Sequence, residues 1–120
     1  MKYMLLIYGN EALWESFPPE DFAQVVKETD ALHKELRASG EFIGAYGVAE
    51  QQLAKTVRLE QGAPIVSDGP YIEAKEYIGS FDLIDCESLE RALEIAAKVP
   101  FARMGSVEVR PIMHEAAPDV

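Results

Sequence analysis

A chain of 120 residues is long enough for one hydrophobic core and too short for a second, so one domain is expected over residues 1–120. Its 21 acidic against 11 basic residues give a formal charge of -10, which would repel a phosphate backbone or an anionic bilayer; neither a nucleic-acid nor a membrane partner is expected. No apolar run approaches the ~20 residues of a membrane span, no signal peptide is expected at the start, and the single cysteine, Cys86, suits a reducing, cytoplasmic setting.

Residues 2–8 (KYMLLIY) are apolar almost throughout, the pattern of a strand buried on both faces. Residues 9–19 read as a loop carrying Trp14 and Phe17. The loop closes on Pro18-Pro19, which with Glu20 and Asp21 suits a helix start. Phe22, Val25, Val26, Thr29, Leu32 and Leu36 then form one helical stripe, ended by Gly40. Residues 42–48 (FIGAYGV) predict a second strand. Residues 56–60 and 65–66 predict a hairpin across Gln61-Gly62-Ala63-Pro64. The turn signal Asp68-Gly69-Pro70 leads to a strand over residues 77–85. Ser88 caps a second helix with the stripe Leu89, Ala92, Leu93 and Ala96, stopped by Pro100. A last strand covers residues 106–113, and the tail from His114 is expected to fray.

The order β-α-β-β(hairpin)-β-α-β predicts an α+β, ferredoxin-like fold, an antiparallel sheet with two helices on one face. By simple alternation Tyr77, Gly79, Phe81 and Leu83 point one way and Ile78, Ser80, Asp82 and Ile84 the other. Both sets are rather apolar, while the helices cover only one face. A homodimer that buries the second face is therefore expected.

The run Asp68-Gly69-Pro70-Tyr71-Ile72-Glu73-Ala74-Lys75-Glu76, followed by Gly79-Ser80-Phe81, resembles the signature of the DGPF-domain branch of the YCII-related family. The opening residues 1–8 and the final SVEVRP at 106–111 are similar to that family as well. The resemblance implies a dimeric α+β barrel built from two ferredoxin-like domains. It also implies a His/Asp enzymatic role, suggested for some members, and a regulatory setting near extracytoplasmic-function sigma factors, found for others. Tyr71 replaces the name-giving Phe, and Asp82 stands where the pattern calls for an aromatic residue.

Two residues are the catalytic candidates. His33 lies in the apolar stripe of the first helix, where an imidazole facing the sheet titrates near neutrality; the competing role is a satisfied core histidine. Asp68 is a carboxylate placed to orient such a base, or the residue that starts a Gly-Pro turn by bonding backbone ahead of it. The ligand-binding candidates are Lys75 for an anionic group, Glu76 as an acceptor, Asp82 as a carboxylate needing a partner within an apolar strand, Arg110, and Trp14 as core cover or lid. Arg110 shares a face with Glu108, which makes a cross-strand ion pair its simplest role. Dinucleotide, phosphate-loop and zinc patterns are absent from the sequence, so no cofactor and no metal are expected. Two functions follow. One is a cofactor-independent enzyme acting on a small molecule through a His/Asp pair; the other is a non-catalytic ligand-binding or regulatory module.

Overall fold

A computed structural model of the chain describes residues 1–116. In chain order the elements are β1 (Lys2–Gly9), α1 (Glu11–Glu15), α2 (Pro19–Ser39), β2 (Phe42–Gly47), β3 (Lys55–Glu60), β4 (Ala63–Asp68), β5 (Tyr77–Asp85), α3 (Leu89–Lys98) and β6 (Ser106–Pro111). Four strands form one antiparallel sheet in the order β2-β5-β1-β6, and β3 pairs only with β4. This is the ferredoxin-like α+β arrangement, with a hairpin inserted between the second and third strands of the sheet.

The sheet is covered on one side. In β1 the odd residues Tyr3, Leu5 and Ile7 are buried, and they meet Leu32 and Leu36 of α2 and Ala92, Ile95 and Ala96 of α3 in one core. The even residues Met4, Leu6 and Tyr8 are only half-buried. The strand is thus buried on one face within a single chain, not on two.

Local chemistry sets the helix ends. Gly40 stops α2 with φ 79°, a left-handed turn that a residue without a Cβ takes at no steric cost. Ser88 Oγ accepts from Arg91 N at 3.1 Å and caps α3. Arg91 also forks onto Glu41 through Nε and Nη2 at 2.9 and 2.8 Å, tying α3 to the start of β2. The guanidinium holds the Glu41 carboxyl down at about 2.

Several details depart from the sequence reading. Residues 9–19 contain α1, a five-residue helix capped by Asn10 Oδ1, which accepts from Leu13 N at 2.7 Å. Phe22 and Val26 of α2, and Leu89 and Leu93 of α3, are exposed; the burial of α3 falls on Ala92, Ile95 and Ala96. A bulge also reverses two side chains. The β1–β5 register passes from Ile7↔Ser80 to Tyr8↔Ile78 and skips Gly79. Tyr77, opposite Gly9, therefore joins the helix side, and Ile78, opposite Tyr8, joins the open side.

The open side carries Met4, Leu6, Tyr8, Ile78, Phe81 and Leu83. Tyr46 stacks on Phe81 there, with ring centroids 5.2 Å apart. The β3–β4 hairpin turns on Gln61-Gly62 alone, both at positive φ (50° and 81°) as the tightest hairpin turn demands. Val57, Leu59, Ile65 and Val66 of the hairpin are exposed. Among the described residues no helix is long and apolar enough to cross a membrane.

After α3, a 3-10 turn over Pro100–Met104 brings Pro100 and Phe101 back toward the first helices. Gly105, which follows it, lies against β1 so closely that a Cβ there would sit 1.8 Å from the Tyr8 carbonyl oxygen. Backbone cannot yield as a side-chain tip does. Gly105→Ala is expected to cost roughly 2 kcal/mol or more in urea unfolding; unchanged stability would contradict this packing.

Candidate functional site

A cavity of about 650 Å³ lies between the helix side of the sheet and α2. Its floor is sheet surface with little side-chain bulk: Ala45 and Gly47 of β2 and Ser80 of β5, beside Ile7 and Asp82. The composition of β2 and the bulged start of β5 therefore create the space that α2 roofs with Thr29, Leu32 and His33.

Trp14 on α1 forms one wall, and two glycines admit it. A Cβ at Gly9 would lie 2.6 Å from Trp14 Cζ2, and one at Gly79 would lie 2.7 Å from Trp14 Cη2. The indole thus rests on bare backbone of two neighbouring strands. Tyr77 meets it edge to face at 5.5 Å and 87°. The Tyr77 hydroxyl is buried with no hydrogen-bond partner among the described residues. Burial pushes its pKa up, the Glu11 carboxylate pushes the same way, and the Glu11 backbone opposes them.

Asp82 stands out electrostatically. It is only 7 % exposed, the one buried charged residue among the described residues, and it lies opposite Leu5 and Ala45 in the middle of the sheet. No hydrogen bond or ion pair to a described residue engages its carboxylate, which faces the cavity. Burial raises its pKa from the ordinary 3.8 to about 6. Across the cavity lining, His33 is half-buried, with its ring 4.9 Å from that of Phe42. Burial lowers its pKa, Arg37 adds to the effect, and Asp30 opposes it weakly. At neutral pH the imidazole is therefore uncharged. No hydrogen bond joins His33 to Asp82, so a molecule between them would be the bridge.

Of the candidates read from sequence, His33, Asp82 and Trp14 share this cavity. Asp68 does not. It ends β4 on the hairpin, pairs with Lys55 and is largely exposed, so it does not orient His33 within one chain, and its side chain bonds Lys55 and not the turn ahead. Lys75 and Glu76 are exposed in the segment leading to β5, outside the lining. Arg110 sits on the open face of β6 and pairs with Glu108 at 3.1 Å along its own strand, not across strands. Sequence reasoning missed Tyr77, Ser80, Glu11 and Glu50 as lining groups. Nothing in the sequence marked Gly9 and Gly79 as the seat of Trp14, since only the β1–β5 pairing brings them together. Among the described residues no three His, Cys, Asp or Glu side chains converge as a metal site. Cys86 is buried, and its thiol pKa is raised by that burial, which leaves it inert.

The sequence profile of the YCII-related domain matches residues 1–116. An uncharacterized protein of Rhizobium meliloti (strain 1021) is 33% identical over 114 residues, covering 93% of this chain and 92% of its own. Among solved structures, the fold is similar to that of 5-chloro-2-hydroxyhydroquinone dehydrochlorinase (TftG) from Burkholderia phenoliruptrix AC1100, in complex with 2,5-dihydroxybenzoquinone. The TM-score is 0.52 with 15% identity over 96% of both chains.

An unpaired buried carboxylate lowers stability in a defined pH window. The folded pKa of Asp82 lies above its unfolded value, so its contribution is most favourable below about pH 4 and is lost as pH rises through about 6. Asp82→Asn is expected to stabilise the protein at neutral pH by about 1 to 3 kcal/mol and to flatten the pH dependence of thermal unfolding across that window. A destabilised variant would mean that the carboxylate is paired.

Proposed function

We propose that this chain, which belongs to the YCII-related family, is a cofactor-independent enzyme that moves protons on a small organic molecule held in the cavity. The observation that carries the reading is Asp82, a largely buried carboxylate without a partner among the described residues yet open to a space of ligand size. Such a group is costly to the fold, and a raised pKa near the working pH is what a general base needs. Asp82 takes the proton. The uncharged His33 imidazole is the second proton site, and the Tyr77 hydroxyl, buried without a partner among the described residues, hydrogen-bonds the ligand. Trp14 covers the ligand and keeps water out. The name of the solved neighbour, a dehydrochlorinase, fits proton removal from a small ring compound, which supports the class of reaction.

Assembly belongs to the same reading. The half-open apolar face of the sheet pairs with that of a second copy, making a dimeric α+β barrel with the cavity on the far, helix-covered side. Light scattering should report about twice the 13.3 kDa chain mass at micromolar concentration. Phe81→Asp should give a folded monomer, since Phe81 faces away from the core. A wild-type monomer at that concentration would contradict the assembly.

The catalytic reading is tested by a thermal-shift screen of small ring compounds, followed by deuterium exchange into each ligand found. Asp82→Asn should lower exchange about 10² to 10⁴-fold, and His33→Gln should lower it while the fold persists. A ligand that binds without any exchange, or exchanges equally with both variants, would make the protein a binding module instead.

A further inference from the structure

The charge of the cavity is one-sided. Glu11, Glu15, Glu50 and Asp82 line it, and no lysine or arginine does among the described residues. Two observations independent of that acidity point to a missing ligand group: the carboxylate of Asp82, more than nine-tenths buried and unpartnered, and the buried Tyr77 hydroxyl without a partner. An ionised carboxylate only accepts hydrogen bonds, so the group that satisfies Asp82 must be a donor. An anion would meet repulsion from four acidic side chains within a chain whose net charge is already -10. A cation would offset the desolvation of Asp82 and would also meet aromatic faces, since Trp14, Phe22, Tyr77 and Phe101 line the same space. Most of the remaining surface is apolar, Ile7, Leu32, Val99 and Pro100 among it, and Thr29, His33 and Ser80 add the other polar side chains.

We propose that the ligand of this cavity is an organic cation, an ammonium or amidinium head on a flat apolar body, with its head at Asp82 and Tyr77 and its body among the aromatic rings. The inference rests on the cavity being a small-molecule site and deepens that reading by naming the chemical class. It also explains why the exposed cations Lys75 and Arg110 lie elsewhere: nothing in the pocket is built to hold an acid.

The chain has a single tryptophan, Trp14, and it lines the cavity, so intrinsic fluorescence reports occupancy of this site. Three isosteric probes, phenethylammonium, 2-phenylethanol and phenylacetate, are titrated at low salt near neutral pH. The ammonium should bind roughly tenfold tighter than the alcohol or better, as a charge-assisted bond gains over a neutral one, and the carboxylate weakest of the three. Asp82→Asn should bring the ammonium down to the level of the alcohol. An alcohol or carboxylate that binds as tightly as the ammonium would overturn the cation preference and leave the cavity reading standing. If none of the probes changes Trp14 emission, both are overturned.

Discussion

A carboxylate at the centre of a four-stranded sheet has to be solvated by something. Asp82 lies between Leu5 on β1 and Ala45 on β2, in the interior of the sheet and largely buried. Among the described residues neither an arginine nor a backbone N–H comes to meet it. The space that relieves it is the cavity itself, which exists because the residues around it are small: Ala45, Gly47, Gly79 and Ser80. A larger side chain at Ala45, Gly47 or Ser80 would fill the hole and strand the charge, and one at Gly79 would displace Trp14. The site and its cost are therefore one feature, a stability loss kept where chemistry can use it.

The bulge at Gly79 is the second element on which the arrangement depends. Without it Tyr77 would point to the open face and Trp14 would have no ring to meet edge-on. With it, Tyr77 turns under α1, and the missing Cβ atoms at positions 9 and 79 let the indole lie on the strands. The wall of the cavity is thus encoded in one register slip and two glycines. The contrast with Glu41 is instructive. That carboxylate is also partly buried, but a forked arginine holds it, and its pKa falls instead of rising. One acid braces the fold, and the other stands ready for a ligand.

Much of the fold was legible because its signals are local. The strand over 77–85, the Ser88 cap and the Gly40 stop are each written in a few adjacent residues. The five-residue α1 was not legible, since one turn and a half carries too little periodicity, and its Asn10 cap looks like ordinary loop. Alternation along β5 misassigned Tyr77 and Ile78, because a bulge changes the period by one residue with only a glycine to announce it. Asp82 was marked as a carboxylate needing an answer, yet the pairing of His33 with Asp68 did not follow: the hairpin carries Asp68 away from the sheet, a tertiary fact that no spacing along the chain records. The cavity as a whole was invisible for the same reason, being made of small residues on β2 and β5 facing α1 and α2.

The chemistry of the site depends on the protonation behaviour of one group. A carbon-detected NMR titration of the Asp82 side-chain carboxyl in the ligand-free protein measures it without any assumption about substrate. A midpoint near 6 is expected, well above the ordinary aspartate value, as burial without a partner requires. A midpoint at or below about 4 would mean that Asp82 is hydrated or paired, and the central claim would be wrong.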